Sequence, residues 1–239
     1  MEHLQQFDAG ALLRLLHLAD SALPIGWAAH SWGLETLVWD GSLEVAQLET
    51  FLTQYFQEMG HAEGLCCRLG YRLAAEPDDV EFAARWLALN ADVSALKTAR
   101  ENRVASAMLG RRLMMLLYEM EGTPRLQQAL QVSKEHKGDI HYSVAFGLCG
   151  GVLVPAENAI VLAYLQQSLF GLVSACQRLL PLGQQQASRI VWRLKATLMM
   201  VAQQSEGLAL NIDDVALFTP LLDVGSMRHP TLPTRLFIS

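Results

Sequence analysis

Apolar residues recur along this chain at spacings of three and four, which is the period of an amphipathic α-helix. The clearest example runs from Val45 to Met59, where one helical face carries Val45, Leu48, Phe51, Leu52, Tyr55, Phe56 and Met59. Intervening polar residues such as Gln54 and Glu58 fall elsewhere on the helix. The pattern predicts a helix that packs one side against a core and leaves the other in water.

Similar patterns predict helices over most of the chain, at about residues 12–19, 82–89, 94–120, 124–132, 142–153, 156–180, 184–204 and 213–222. We expect Ser94 to act as the N-cap of the long helix ending at Met120, which Gly122 and Pro124 close. No run of alternating β-branched residues is bounded by hairpin turns. The expected fold class is all-α, a single-domain bundle of about ten helices with a non-helical C-terminal tail.

The last residues, SMRHPTLPTRLFIS, have a different character, and we call residues 226–239 the C-terminal segment. Pro230 and Pro233 disfavour helix and bias their neighbours towards extended backbone. The predicted organisation is a helical domain over residues 1–225 followed by this segment. Its basic and apolar side chains allow two interpretations, packing back on the core or ordering on a partner.

Composition narrows the possible partners and compartments. Half of the 239 residues are hydrophobic, and the net charge is -6 with both signs mixed along the chain. Without a basic block, nucleic acid is not an expected partner. The first residues do not resemble a secretory signal, and no apolar run has the roughly 18 residues of a spanning helix. We expect a cytoplasmic protein without membrane contact, whose four cysteines are free and mostly buried.

Residues 23–35 hold the densest group of special residues, with Pro24 and Gly26 enforcing a loop. His30 and Glu35 could form a metal or acid/base pair, but they are five residues apart, whereas three or four would align them on a helix. Two ligands without a third also make a weak metal site. The pattern favours a loop leading into a helix, and familiar nucleotide-binding and hydrolase motifs do not occur. An interaction protein is therefore favoured over an enzyme.

Five groups of residues, taken in chain order, resemble the motifs of one family, the urease accessory protein UreF family. They are LPIG with HSWGLE (residues 23–26 and 30–35), ARE (99–101), HYSVAFG (141–147), VSA with PLGQ (173–175 and 181–184), and LDVGSMRH with RLFIS (222–229 and 235–239). The C-terminal segment departs from the family pattern at Pro230, Pro233, Thr234 and Ile238.

The resemblance implies a non-enzymatic, all-helical homodimer that assists urease maturation. Such proteins bridge the accessory protein UreD (also called UreH) and the GTPase UreG, and help nickel reach apo-urease. No tightly bound cofactor is expected, although nickel could bind transiently. The partner-binding residues carried over to this sequence are His30, Ser31, Gly33, Glu35, Arg100, Glu101, Arg228, His229, Arg235, Leu236, Phe237 and Ser239.

Two other functions stay open at this point. Exposed Arg100, Arg103 and Arg235 could make the chain a GTPase-activating regulator of UreG, because an arginine can stabilise the charge of phosphoryl transfer. A helical metal-dependent enzyme built on His30 and Glu35 is the alternative from another class.

Overall fold

The computed structural model describes residues 8–207 and 219–238, and helices account for most of them. The predicted all-α class is confirmed: these ranges contain ten α-helices and no β-strand. The helices are α1 (Ala9–Leu18), α2 (Leu34–Trp39), α3 (Leu48–Leu73), α4 (Asp79–Leu96), α5 (Arg100–Glu121), α6 (Pro124–Glu135), α7 (Tyr142–Leu153), α8 (Glu157–Leu179), α9 (Gln184–Gly207) and α10 (Pro220–Arg228). Short 3-10 helices cover Trp27–Ala29, Val45–Gln47 and His229–Thr231.

The single helix predicted from Ser94 to Met120 is wrong. Ser94 lies inside α4, and α5 begins only at Arg100 after an extended break. Tertiary contacts hold this break, because the Lys97 side chain turns inward to the buried carboxylate of Glu63. Arg103 then donates to the carbonyls of Lys97 and Thr98, so the exposed backbone acceptors are satisfied. Helical periodicity could not reveal a break that depends on a residue in another helix.

The C-terminal helix also differs from its prediction. Residues 213–218 of the helix expected at 213–222 lie outside the described ranges. Within those ranges α10 runs from Pro220 to Arg228, and proline at a first helical position is favourable because its missing N–H has no intrahelical partner. The boundary at residue 226 therefore falls inside α10, and the first three residues of the C-terminal segment are helical.

Helix α3 is the central element and packs against α4, α7, α8 and α9. Its contact with α7 depends on glycine, because the two backbones approach closely. A β-carbon at Gly147 would lie 1.9 Å from the carbonyl oxygen of Cys67, and one at Gly70 would lie 2.3 Å from that of Val144. The sequence of α7 explains its position: it is apolar on all sides, and such a helix is stable only when surrounded by other elements.

Among the described helices, α8 alone is long and apolar enough to cross a membrane by length and composition. Its most apolar 18-residue window has a mean hydropathy of 1.6, but 67% of that window is buried inside the protein. It packs against α3, α7 and α9. We interpret α8 as a core helix of the bundle.

The four cysteines are free and buried, as predicted. Burial raises the pKa of the Cys66 and Cys149 thiols far above the ordinary range, and that of Cys176 to about 12. The thiols are therefore uncharged at neutral pH and pack as small apolar side chains.

A buried histidine joins α4, α5 and α7. The backbone N–H of His141 donates to Asn90, its Nε2 lies 2.6 Å from the hydroxyl of Ser94, and its Nδ1 lies 3.2 Å from that of Ser106. Burial, with the charge of Lys97 as a smaller cause, lowers the pKa of His141 to about 4. Ser94 therefore contributes a contact between helices instead of the helix cap that the sequence predicted.

Substituting Gly147 with alanine should destabilise the fold, because the new methyl group meets backbone rather than a movable side chain. We expect the free energy of unfolding, measured by urea denaturation, to fall by roughly 1–3 kcal/mol or more. Gly183→Ala is the matched control, since a β-carbon there meets nothing within 4 Å. Equal stability of the two variants would contradict the packing described for α3 and α7.

Stability should also fall as the pH drops below about 6.5. His30, like His141, has a pKa lowered to about 4, mainly by burial and further by Arg112. Between the unfolded value near 6.5 and the folded value near 4, only the unfolded chain takes up these protons. The stability is therefore complete above pH 6.5 and is lost as the pH approaches 4.

Urea denaturation at pH 7.5 and 5.0 measures this loss, which should be roughly 2 kcal/mol for each histidine. Most carboxylates remain ionised over this interval, so they contribute little to the difference. A His141→Asn variant, whatever its absolute stability, should show about half the pH dependence. A free energy of unfolding that is constant over this interval would contradict the buried neutral state of both histidines.

Candidate functional site: the contact between the opening motif and the C-terminal segment

The loop that opens the chain is shaped for contact with α10. Gly33 has a φ of 89°, which glycine adopts without strain, and α2 begins directly after it. A β-carbon at Gly33 would lie 2.5 Å from the carbonyl oxygen of Leu222, so glycine is also needed for the close approach. The hydroxyl of Thr36 donates to the carbonyl of Gly225 at 2.7 Å. Residues about 190 positions apart therefore pack backbone against backbone.

Glu35 holds the C-terminal segment in place. Its carboxylate is buried and accepts hydrogen bonds from the backbone N–H groups of Leu236 at 2.5 Å and Phe237 at 3.2 Å. The Nε2 of His229 lies 2.6 Å from the same carboxylate. An ionised carboxylate only accepts, so Nε2 carries the proton. Three donors thus offset the cost of burying this charge.

Further contacts fasten the segment on both sides of Glu35. The N–H of Ile238 donates to the carbonyl of Ala29 at 2.8 Å. The guanidinium of Arg178 lies 4.2 Å from the ring centre of buried Phe237 and donates to the carbonyl of Ala28. Arg228 pairs with Asp40 at 2.9 Å. In the described chain, His229 and residues 236–238 therefore contact the opening loop and the first turn of α2.

Other side chains of the segment and of α10 point to solvent. Leu236 and Ile238 are 54% and 69% exposed, and Arg235 is exposed beside them. One face of α10 is exposed as well. We call the combined area the C-terminal apolar surface; it consists of Leu221, Val224, Met227, Leu236 and Ile238.

The remaining residues of the predicted set fall into two groups. His30 and Ser31 are buried, and the His30 ring lies 5.8 Å from that of Trp32. Arg100 is exposed and Glu101 is half-buried at the start of α5. The next residue, Asn102, accepts a hydrogen bond from Ser226 at 2.9 Å, so this end of α5 adjoins α10. Ser239 lies outside the described residues.

The geometry gives Glu35 a role other than catalysis or metal binding. Both of its oxygens are occupied by the C-terminal segment, so His30 and Glu35 do not act as an acid/base pair. Across residues 8–207 and 219–238, no group of three or more His, Cys, Asp or Glu side chains is arranged to hold a metal ion.

Several residues of this contact were not identified from the sequence. Arg178, Asp40 and Thr36 each bond to a partner about 150 residues or more away, so no local spacing indicates their role. The available signal was indirect. A basic residue follows a run of apolar positions in α8, and an acidic residue follows Trp39 at the end of α2.

Replacing Glu35 with glutamine should loosen the C-terminal segment. A neutral amide cannot accept from all three donors, and the buried charge-assisted bonds are lost. We expect about 2–4 kcal/mol of lost stability and faster tryptic cleavage after Arg235. Glu121→Gln is the control, because the contact of Glu121 within the described part of the chain is a long, exposed ion pair with Arg14. Unchanged cleavage in the Glu35 variant would show that the segment is held by other contacts.

Comparison with known proteins places the chain in a family. The UreF family model matches residues 44–195. The urease accessory protein UreF of Actinobacillus pleuropneumoniae is 32% identical over 232 residues, which cover 96% of this chain and all of the relative. The protein of the same name from Geobacillus kaustophilus is 31% identical, over 95% of this chain and 98% of its own. The chain is therefore a member of the UreF family of urease accessory proteins.

Proposed function

We propose that this accessory protein is a non-enzymatic scaffold in the cytoplasm. It bridges a UreD-type protein (UreH) and the nickel-carrying GTPase UreG, and the assembly helps nickel enter apo-urease. The observation that carries the proposal is the C-terminal apolar surface, which presents five exposed apolar side chains on a backbone anchored by a buried carboxylate. An anchored surface loses less conformational entropy on binding than a mobile one.

The residues expected to bind partners divide into two roles. Glu35, His229 and Phe237 are buried and act by positioning the segment. Arg235 and Leu236 are exposed and are the ones that contact a partner directly. The occupant that we assign to the C-terminal apolar surface is a UreD-type protein, the partner that the family resemblance implies. Apolar and arginine side chains of this kind commonly carry most of the binding energy at an interface.

A scaffolding role also suits the distribution of possible metal ligands. The described ranges hold no cluster of three or more ligating side chains, so we assign nickel the role of cargo. Transfer of a cargo ion requires weak contacts that release it, whereas a closed ligand cage would retain it. The chain itself then needs no catalytic residue.

We further propose that the protein is a homodimer that associates through the outer surface of α8 and α9. This surface carries three large exposed apolar side chains: Phe170, Trp192 and Met199 are 41%, 71% and 58% exposed. Aromatic residues and methionine are enriched at such interfaces. This surface adjoins the C-terminal segment, because Phe170 and Trp192 line the same groove as buried Phe237.

Regulation of UreG is the second candidate. Arg100 and Arg235 are exposed, and neither forms an ion pair within the described residues. Arg103, by contrast, is already engaged by two backbone carbonyls. An exposed arginine could supply positive charge to a GTPase.

The scaffold proposal predicts that Leu236→Glu combined with Ile238→Glu abolishes co-purification with a UreD-type protein. Burying two new carboxylates should weaken the complex at least tenfold. This loss of affinity is roughly that caused by removing a hot-spot residue. Val80→Glu is the control, because Val80 is 81% exposed on a different element. Thermal unfolding should confirm that both variants fold.

Light scattering of the assembled complex with UreD and UreG would count the copies, and GTP turnover in the same sample would test the regulatory candidate. A double variant that still forms the complex and activates urease would overturn the docking role of the C-terminal apolar surface. Unchanged GTP turnover on addition of this chain would remove the regulatory function alone.

A further inference from the structure

A cavity lies between α3, α5, α7, α8 and α10, apart from the C-terminal apolar surface. It has a volume of about 60 Å³. A water molecule needs roughly 10–15 Å³ of such space, so the cavity has room for a molecule of about four to six non-hydrogen atoms. Its walls are mainly aromatic: they include Trp27, Trp32, Tyr55, Phe56, Tyr142 and Tyr164.

These rings form a nearly continuous lining. The Trp27 ring centre lies 5.2 Å from that of Trp32 and 4.9 Å from that of Tyr142, which in turn lies 5.7 Å from Tyr164. The hydroxyl of Tyr164 is held by Glu63, and that of Tyr142 by Gln167. Aromatic rings attract cations through their electron-rich faces.

The charges that line the cavity are acidic on balance. Glu63 and Lys97 form a buried ion pair, and they offset each other. Asp223 is half-buried at the cavity and forms no ion pair within the described residues. Among residues 8–207 and 219–238, its two oxygens make only long contacts of 3.5 Å, with Asn102 and Thr219. The described residues of the lining therefore combine two carboxylates with one ammonium group, which leaves one negative charge.

We propose that this cavity binds a small organic cation, an alkylammonium or guanidinium ion. The aromatic walls supply cation–π attraction, Asp223 supplies the unpaired negative charge, and the volume limits the ligand to a few carbon atoms. An anion would meet Asp223 and Glu63, and a larger molecule would not fit. The proposal concerns the isolated chain and does not depend on the scaffold function.

Tetramethylammonium chloride is the first probe. Guanidinium chloride at millimolar concentration is the second probe, and comparing the two shows whether the cavity binds an alkylammonium or a guanidinium ion. The chain contains five tryptophans, whose indole N–H signals can be followed by NMR. We expect saturable shifts for Trp27 and Trp32 with at least one of the two cations. Trp39, Trp86 and Trp192 do not line the cavity and serve as internal controls. Sodium chloride at equal concentration corrects for ionic strength.

Two comparisons test the charge argument. tert-Butanol, a neutral molecule of nearly the same size as tetramethylammonium, should bind at least fivefold more weakly, because it lacks the cation–π attraction. Asp223→Asn should weaken cation binding roughly fivefold to tenfold while preserving shape. Asp79→Asn, which alters a largely exposed carboxylate outside the cavity, should leave the affinity unchanged.

Any of three results would overturn the proposal. The first is that neither cation produces saturable shifts of the Trp27 and Trp32 signals. The second is that tert-butanol binds as tightly as the cation. The third is that the Asp223→Asn variant binds the cation with wild-type affinity. Thermal unfolding of Asp223→Asn checks that the variant is folded. If it were not, the wild-type comparison of cation with neutral isostere would still decide the question.

Discussion

The position of the C-terminal segment depends on the buried carboxylate of Glu35. This carboxylate belongs to the first turn of α2, yet its hydrogen-bond donors come from residues 229, 236 and 237 near the other end of the chain. A charge removed from water is tolerated only when its acceptors are filled, so the fold and the C-terminal segment require each other. Removing the C-terminal donors would leave the Glu35 carboxylate buried without hydrogen bonds, and removing the carboxylate would leave the donors without an acceptor.

The helical bundle makes this contact possible by holding the two ends of the chain close together. Helix α3 and α7 approach so closely that only glycine fits at their crossing, which gives the centre a rigid spacing. Helix α8 places the Arg178 guanidinium over the ring of Phe237. Helix α5 places Asn102 within hydrogen-bond distance of Ser226. The contact between the opening motif and the C-terminal segment is therefore a product of the whole bundle.

The same arrangement separates anchoring from recognition. Phe237 is buried, while its neighbours Leu236 and Ile238 are exposed. The prediction that both prolines favour extended backbone is wrong for Pro230, which lies in the 3-10 helix His229–Thr231. In the proposed scaffold, the buried residues set the shape of the surface and the exposed residues provide affinity. A single motif can therefore be needed for function through two physically different roles.

Periodicity along the sequence determined the helical class and most helix positions, because a spacing of three and four leaves one apolar face wherever a helix packs on a core. The predicted face with Leu48, Leu52 and Phe56 agrees with α3 for this reason, since all three side chains are buried. The ordered motifs also indicated the family. They singled out the opening motif and the C-terminal segment as the candidate partner-binding residues. The break between α4 and α5 could not be predicted in this way, because it depends on the pairing of Lys97 with Glu63 in another helix. Nor could the sequence decide that Glu35 binds the C-terminal segment instead of pairing with His30. That choice follows from which groups the folded bundle brings within hydrogen-bond distance, and such proximity between distant residues is a property of the tertiary structure alone.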